Sequence, residues 1–280
     1  MAWQMTSNQK ITPFLRRCVA GAMMAAGRSD GFPNRFVHAA PSVQQTVDQF
    51  NWASRLPIEG IRSGTSPLFD DERIHWLLDH VSVRQPFSIF ELGPLEGGHS
   101  TMLARAGATV RAVEANLGAY LKCLVVKDLL NLDAVDFQLG DFNCELVESE
   151  TRYDLIIACG VLYRMTDPLQ TILNMTRRTD RVFVWTQYYD GSRRHIGQPK
   201  GLKGATRSFD HRGRRFDGHI NDYGLGPSLA SFWGGNHGHS VWLTKSDLFQ
   251  IFRDEGFAIV EGRDEPDHVN GPAITFLATR

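Results

Sequence analysis

The chain is short of cysteine, of net charge and of long apolar runs, and each shortage excludes something. Among 280 residues there are four cysteines, Cys18, Cys123, Cys144 and Cys159, with no Cys-x-x-Cys pair. Neither a redox dithiol nor a zinc framework can be read from them, and their apolar surroundings suit reduced core thiols. Lys and Arg number 30 against 31 Asp and Glu, a formal net charge of −1. No general attraction to nucleic acid or to an anionic membrane is therefore expected. No stretch reaches the roughly 20 apolar residues that a membrane-spanning helix needs. Arg16-Arg17 and the small apolar residues after them have the outline of an export signal, but the run lacks Leu, Ile and Phe and reads as a short surface helix or leader. What the chain does have is 42% hydrophobic residues, enough for one large core.

The most informative stretch runs from Phe87 to Asn116. An apolar run, Phe87 to Leu92, has the length of a fully buried strand. It breaks at Gly93, helical spacing resumes at Met102, Leu103 and Ala106, and Gly107 stops it. A second apolar run, Thr109 to Val113, ends on Glu114. Strand, glycine turn, helix, strand and acid make one half of a nucleotide-binding α/β unit. Glycine lets the backbone turn sharply and lets a ligand approach without a Cβ in the way. An acid closing the second strand can accept hydrogen bonds from both hydroxyls of a ribose. A dinucleotide site wants Gly-x-Gly-x-x-Gly so that a pyrophosphate can rest on the helix N-terminus. Here Leu95 stands at the second glycine, and Glu91 would repel a phosphate and attract a cationic group.

This stretch resembles motif I of the class I S-adenosylmethionine-dependent methyltransferases, an acid-x-Gly-x-Gly-x-Gly pattern that Glu91, Gly93 and Gly97 match and Leu95 does not. The resemblance implies that Glu91 lies near the methionine end of the cofactor and that Glu114 holds the ribose. Pro94, Ser100, Ala115 and Asn116 then flank the same site. Gly140-Asp141-Phe142, after an expected third strand at Val135 to Leu139, resembles the family's adenine motif: Asp141 takes the exocyclic amine and the Phe142 ring lies against the base. The near-continuous apolar run Tyr153 to Gly160 reads as a buried fourth strand, bringing Cys159 to the site. Leu162-Tyr163, followed by Asp167-Pro168, resembles the segment after strand four in small-molecule and RNA methyltransferases. Arg164 stands where many relatives have His, which removes one candidate base and adds a cation.

The remaining elements complete a fold class: α/β, a doubly wound, mostly parallel seven-stranded sheet (the Rossmann-like methyltransferase fold) with an antiparallel last strand, an N-terminal helical cap and a long insertion after strand five. Residues 1–84 form the leader and cap, where Val43, Val47 and Phe50 share a helix face, and Asp70 or Asp71 caps a helix carrying Ile74, Leu77, Leu78 and Val81. Residues 85–280 form the methyltransferase domain. Its second long helix presents Leu117, Tyr120, Leu121, Leu124, Val125 and Leu129 on one face. Arg181 to Thr186 is strand five. A capping box at Thr244 to Asp247 opens the last helix. Phe257–Val260 and Ala273–Ala278 then form a hairpin, the methyltransferase ending rather than the dehydrogenase one.

The insertion, residues 187–241, is far longer than an ordinary connection and rich in aromatic and basic residues, so it is expected to fold over an acceptor that is planar, polar or anionic. His195, His237 and His239 are candidate general bases, since a neutral imidazole takes a proton near pH 7. Tyr163 joins them, while Tyr188, Tyr189, Arg164 and Trp233 are expected to position the acceptor. His237-Gly-His239 lacks a third ligand, and no metal is expected. The functional expectation is methyl transfer from S-adenosyl-L-methionine, leaving S-adenosyl-L-homocysteine, to an O or N atom of a small-molecule acceptor, in the cytoplasm. Two alternatives stand beside it. One is a tRNA- or RNA-modifying methyltransferase, which Leu162-Tyr163 and the basic insertion also resemble but the near-neutral charge disfavours. The other is a domain that binds cofactor as a non-catalytic scaffold.

Overall fold

In the computed structural model of the chain, the described residues are 37–191, 205–223 and 237–280. The chain divides into two units, 1–41 and 42–280. Of the first, residues 37–41 are exposed and carry neither helix nor strand.

Two short helices, α1 (Val43–Val47) and α2 (Glu72–His80), precede β1 (Ser88–Leu92), α3 (Gly98–Arg105), β2 (Thr109–Glu114), α4 (Leu117–Leu130), β3 (Val135–Leu139) and α5 (Phe142–Glu148). Then come β4 (Leu155–Cys159), a 3-10 turn (Leu162–Arg164), α6 (Pro168–Thr176) and β5 (Arg181–Gln187). The described part of the insertion supplies β6 (Thr206–His211), β7 (Arg214–Asp222) and β8 (His239–Trp242), and α7 (Lys245–Asp254), β9 (Ala258–Glu265) and β10 (Ala273–Thr279) finish the chain. The main sheet has seven strands in the order β3-β2-β1-β4-β5-β10-β9. β10 runs antiparallel to both β5 and β9, and the other pairs are parallel.

Strand alternation divides the core between the two faces of this sheet. Ile89, Leu155 and Ile157 face one layer with Leu103, Cys123 and Val126. Phe90, Ile156 and Ala158 face the other with Ile172, Ile251 and Phe276. β1 lies between β2 and β4, so the chain reverses direction across the sheet at the carboxyl ends of β1 and β4. A doubly wound sheet opens its ligand crevice at that switch point.

Two sequence expectations change. First, α4 buries Ala119, Cys123 and Val126, whereas Leu117 and Leu124 are exposed. The seat beside the glycine turn admits only small side chains: a Cβ at Gly97 would lie 2.9 Å from Phe137 Cζ and 3.7 Å from Val126 Cγ1. Second, the insertion is not merely a covering loop, because its described residues form a three-stranded antiparallel sheet, β6-β7-β8. Arg212 and Gly213 close its hairpin with φ of 48° and 75°, the left-handed pair that a two-residue hairpin turn requires. Phe209, Phe216 and Val241 anchor this sheet in the second core layer. The segment before α2 is also pinned to the glycine turn. Glu96, fully buried, accepts N–H bonds from Ala53 (3.0 Å) and Ser54 (2.8 Å) and pairs with Lys122 at 2.7 Å. Burial pushes this carboxyl up, but Lys122 and the N–H donors outweigh it and hold it below its ordinary value.

Candidate active site

At the switch point lies a cavity of about 910 Å³. One end is walled by the turn after β1, by Glu114 and Ala115 after β2, and by Asp141, Phe142 and Asn143 at the start of α5. The other is walled by Cys159 and Gly160 after β4, by Tyr163 to Thr166, and by Trp185, His237 and Asn270. At about 300–1,000 Å³ for a typical ligand pocket, the volume leaves room for a nucleoside and a small second molecule.

The turn is built on left-handed backbone. Gly93 and Gly97 have φ of 63° and 77°, and Leu95, between them, has φ of 57°. The backbone thus keeps the conformation of the missing glycine at the expense of Leu95. The freed Leu95 N–H donates to Glu114 Oε2 at 3.0 Å, while Glu114 Oε1 accepts from Asn116 N–H at 2.8 Å. Burial pushes the Glu114 carboxyl up, against the pull of these donors. Asn116 also caps α4 by accepting from Ala119 N–H at 2.9 Å. Gly98, which opens α3, lines the cavity and packs on Leu68: a Cβ on it would lie 2.4 Å from the Leu68 carbonyl oxygen.

Glu91 does not sit where the sequence suggests. Only 2% exposed, it does not line the cavity; Ser100 Oγ donates to its Oε2 and His99 Nδ1 lies 3.6 Å from its Oε1. The group that reaches the cavity wall is His99, whose Nε2 donates to Asp71 Oδ2 at 3.0 Å. Asp71 in turn holds Arg73 through Nε at 2.9 Å and Nη2 at 2.5 Å, and caps α2. Burial opposes a charge on His99, yet the bond to Asp71, the Cys159 sulfur and the Glu91 carboxylate outweigh it and raise the pKa to about 10. Burial likewise pushes Glu91 up. Asp71 is held well below the carboxylate range, because its bonds to Arg73 and His99 overcome its own burial. Arg73 lies 4.6 Å over the Trp185 ring. His99, Arg73 and Trp185 were not singled out from sequence. A histidine in the first turn of a helix, where the dipole disfavours a cation, was the available signal.

Of the other expected cofactor residues, Gly93, Pro94, Ala115, Asp141, Phe142 and Cys159 line the cavity, and Gly97 and Ser100 support it from behind. Asp141 Oδ1 is engaged in capping α5, accepting from Asn143 N–H at 2.8 Å. Asn143 carries a buried amide oxygen with no hydrogen-bond partner, in the cavity wall beside Asp141. Buried acceptors are ordinarily satisfied, and an exocyclic amine such as adenine's would satisfy this one.

Of the expected catalytic and acceptor residues, Tyr163, Arg164 and His237 line the cavity. Tyr163 stands edge-on to Trp185 and to Trp242, each at 5.9 Å between centroids, and Arg164 covers it at 4.9 Å. Gly160 has φ of 79°, and a Cβ there would lie 3.8 Å from both Tyr163 Oη and Trp185 Cζ3. Three expectations are corrected. Tyr188 is buried with its hydroxyl donating to Asp264 Oδ1 at 2.9 Å, Tyr189 stacks on His219, and His239 pairs in β8 with Asp222; none of them lines the cavity. One step past the end of β5, Tyr188 still follows the alternation that points it into the core. His195 and Trp233 lie outside the described residues.

No family model matches the sequence, and no curated protein matches it. Solved structures match it in shape. The N-terminal domain of EvdMO1, crystallised in the presence of S-adenosylhomocysteine and D-fucose, aligns with a TM-score of 0.65 at 19% identity, over 85% of this chain and 95% of that one. Full-length EvdMO1 aligns with a TM-score of 0.58 at 19% identity, over 85% of this chain and 46% of that longer one. The 1,6-didemethyltoxoflavin-N1-methyltransferase of Burkholderia thailandensis, with 1,6-didemethyltoxoflavin and S-adenosylhomocysteine bound, aligns with a TM-score of 0.50 at 11% identity, over 98% of this chain and 93% of that one. The fold is that of the class I S-adenosylmethionine-dependent methyltransferases.

Proposed function

We propose that the chain is an S-adenosylmethionine-dependent methyltransferase acting on an O or N atom of a small-molecule acceptor. One observation carries this reading: a buried carboxylate closing β2, Glu114, borders a cavity whose opposite end is aromatic and roomy. A carboxylate has about four acceptor sites. Leu95 and Asn116 take two on Glu114, and the others suit the two hydroxyls of a ribose. Asp141 and the Asn143 amide oxygen would meet the adenine amine. The cations Arg73 and His99 would meet the methionine carboxylate, with Glu91 holding His99 and Ser100 in place behind them.

When bound, the cofactor supplies a methyl group on a sulfonium, open to in-line displacement as the C–S bond breaks and the acceptor's lone pair forms the new bond. The protein's part is alignment and exclusion of water. Gly160 leaves the end of β4 bare, and Tyr163 and Trp185 wall the approach beside it. In the described acceptor half of the cavity, His237 offers an imidazole that could take a proton from a hydroxyl or amine acceptor, and Tyr163 a hydroxyl that could hydrogen-bond it. Small molecules in the two structural neighbours, D-fucose and 1,6-didemethyltoxoflavin, support an acceptor of similar size. An RNA acceptor is less well supported, because Arg207, Arg212 and Arg214 of the insertion are engaged with Asp167, Glu255 and Asp254. Incubating the purified chain with methyl-labelled S-adenosylmethionine and fractionated small-molecule extract tests the proposal. Labelled product with S-adenosylhomocysteine release is expected, and silence from every fraction counts against it.

A further inference from the structure

Resting on that reading, we infer that the acceptor is a small planar anion, of the aromatic carboxylate class, whose charge is met by Arg164.

The cavity's charge is divided. Its carboxylates, Glu114 and Asp141, stand in the half assigned to the nucleoside. In the other half the described wall has no carboxylate: it is Tyr163, Arg164, Met165, Trp185, His237 and Asn270. Arg164 forms no ion pair among the described residues, and its guanidinium lies over the Tyr163 ring instead. The acid nearest in sequence, Asp167, is already taken. Its Oδ2 accepts from Arg207 at 2.9 Å and its Oδ1 caps α6 by accepting from Gln170 N–H at 2.9 Å. The other arginine of the wall, Arg73, is held by Asp71 and is assigned above to the cofactor's carboxylate. Among the described residues, Arg164 is thus a half-buried cation in the cavity wall without a countercharge.

Removing a cation from water without a partner is costly, and a sulfonium in the same cavity adds a second positive charge. An anionic acceptor neutralises this half of the cavity, and a guanidinium binds a carboxylate through two parallel N–H donors. The wall also sets the shape. Tyr163 and Trp185 meet at 87°, and an arginine lies over each ring, Arg164 on Tyr163 and Arg73 on Trp185. Two rings held at a right angle admit a flat molecule along one and against the edge of the other, the arrangements aromatic pairs prefer.

The test uses the whole chain saturated with S-adenosylhomocysteine, with benzoate and its neutral counterpart benzamide as probes in ligand-observed NMR titrations. Benzoate is expected to bind saturably and roughly ten- to a hundredfold more tightly than benzamide, the range for a hydrogen bond to a charged group. Arg164→Gln should bring benzoate down to the benzamide level, and Arg164→Lys should keep part of the preference. S-adenosylhomocysteine affinity, unchanged within about twofold in both variants, shows that they are folded. Equal binding of the two probes, an undiminished preference in Arg164→Gln, or no saturable benzoate binding overturns the inference while leaving the methyltransferase reading intact. If S-adenosylhomocysteine itself fails to bind the unaltered chain, the underlying reading falls and the inference with it.

Discussion

Replacing His99 by Gln should flatten the alkaline side of the protein's stability profile. The imidazole is 11% exposed and sits between Asp71 and Glu91, with a pKa raised from 6.5 to about 10. A group whose folded pKa is raised contributes fully below its unfolded value and loses that contribution as pH climbs through the folded one. The window therefore opens near pH 6.5 and closes near pH 10. At ~1.4 kcal/mol per pH unit, the whole contribution has a ceiling of about 5 kcal/mol. Urea denaturation at a series of pH values across this window would show the unaltered chain weakening by a few kcal/mol. His99→Gln, which has no proton to lose there, should start lower and stay nearly level. Parallel profiles for the two proteins would refute the charged imidazole, and with it the cationic wall proposed to face the methionine carboxylate.

Leu95→Gly should stabilise the chain by about 0.5–1 kcal/mol, since left-handed backbone costs a side-chain-bearing residue roughly 1–2 kcal/mol and glycine's greater unfolded freedom returns part of that; a lower urea midpoint would contradict it. Glu96→Ala strands two backbone donors and Lys122, so a loss of about 3 kcal/mol or more is expected in the same assay. Gly160→Ala puts a methyl beside Tyr163 and Trp185 at a φ of 79°, costing about 1–2 kcal/mol of stability. It should lower methyl-transfer turnover more than S-adenosylhomocysteine affinity, and the reverse would shift the acceptor chamber elsewhere.

Local patterns were the legible part of this sequence. β4 is a continuous apolar run and β1 one interrupted by Ser88 and Glu91, the glycine turn has its own spacing, and Asp167 and Thr244 are capping residues that do cap. The fold follows from the order of those elements. What the sequence hid depends on distance along the chain or on crowding in space. Asp71 reads as a helix cap and is one, but it meets His99 across 28 positions, and no local pattern reports that. Glu91 matches its motif, yet its side chain is buried outside the cavity lining, against Ser100 and His99. α4 is apolar almost all round, so periodicity alone could not choose between its leucines and the smaller Ala119, Cys123 and Val126 that fit against the turn. β6 offers a single buried apolar residue, Phe209, among charged and polar ones, too little alternation to announce a strand.

Calorimetric titration of the chain with S-adenosylhomocysteine tests the central claim most directly. Saturable one-to-one binding is expected, weakened at least tenfold in Glu114→Ala, since two ribose hydroxyls lose a charged acceptor at about 1.5–3 kcal/mol each. Absence of binding heat, or an affinity in a folded Glu114→Ala variant equal to that of the unaltered chain, would contradict the account.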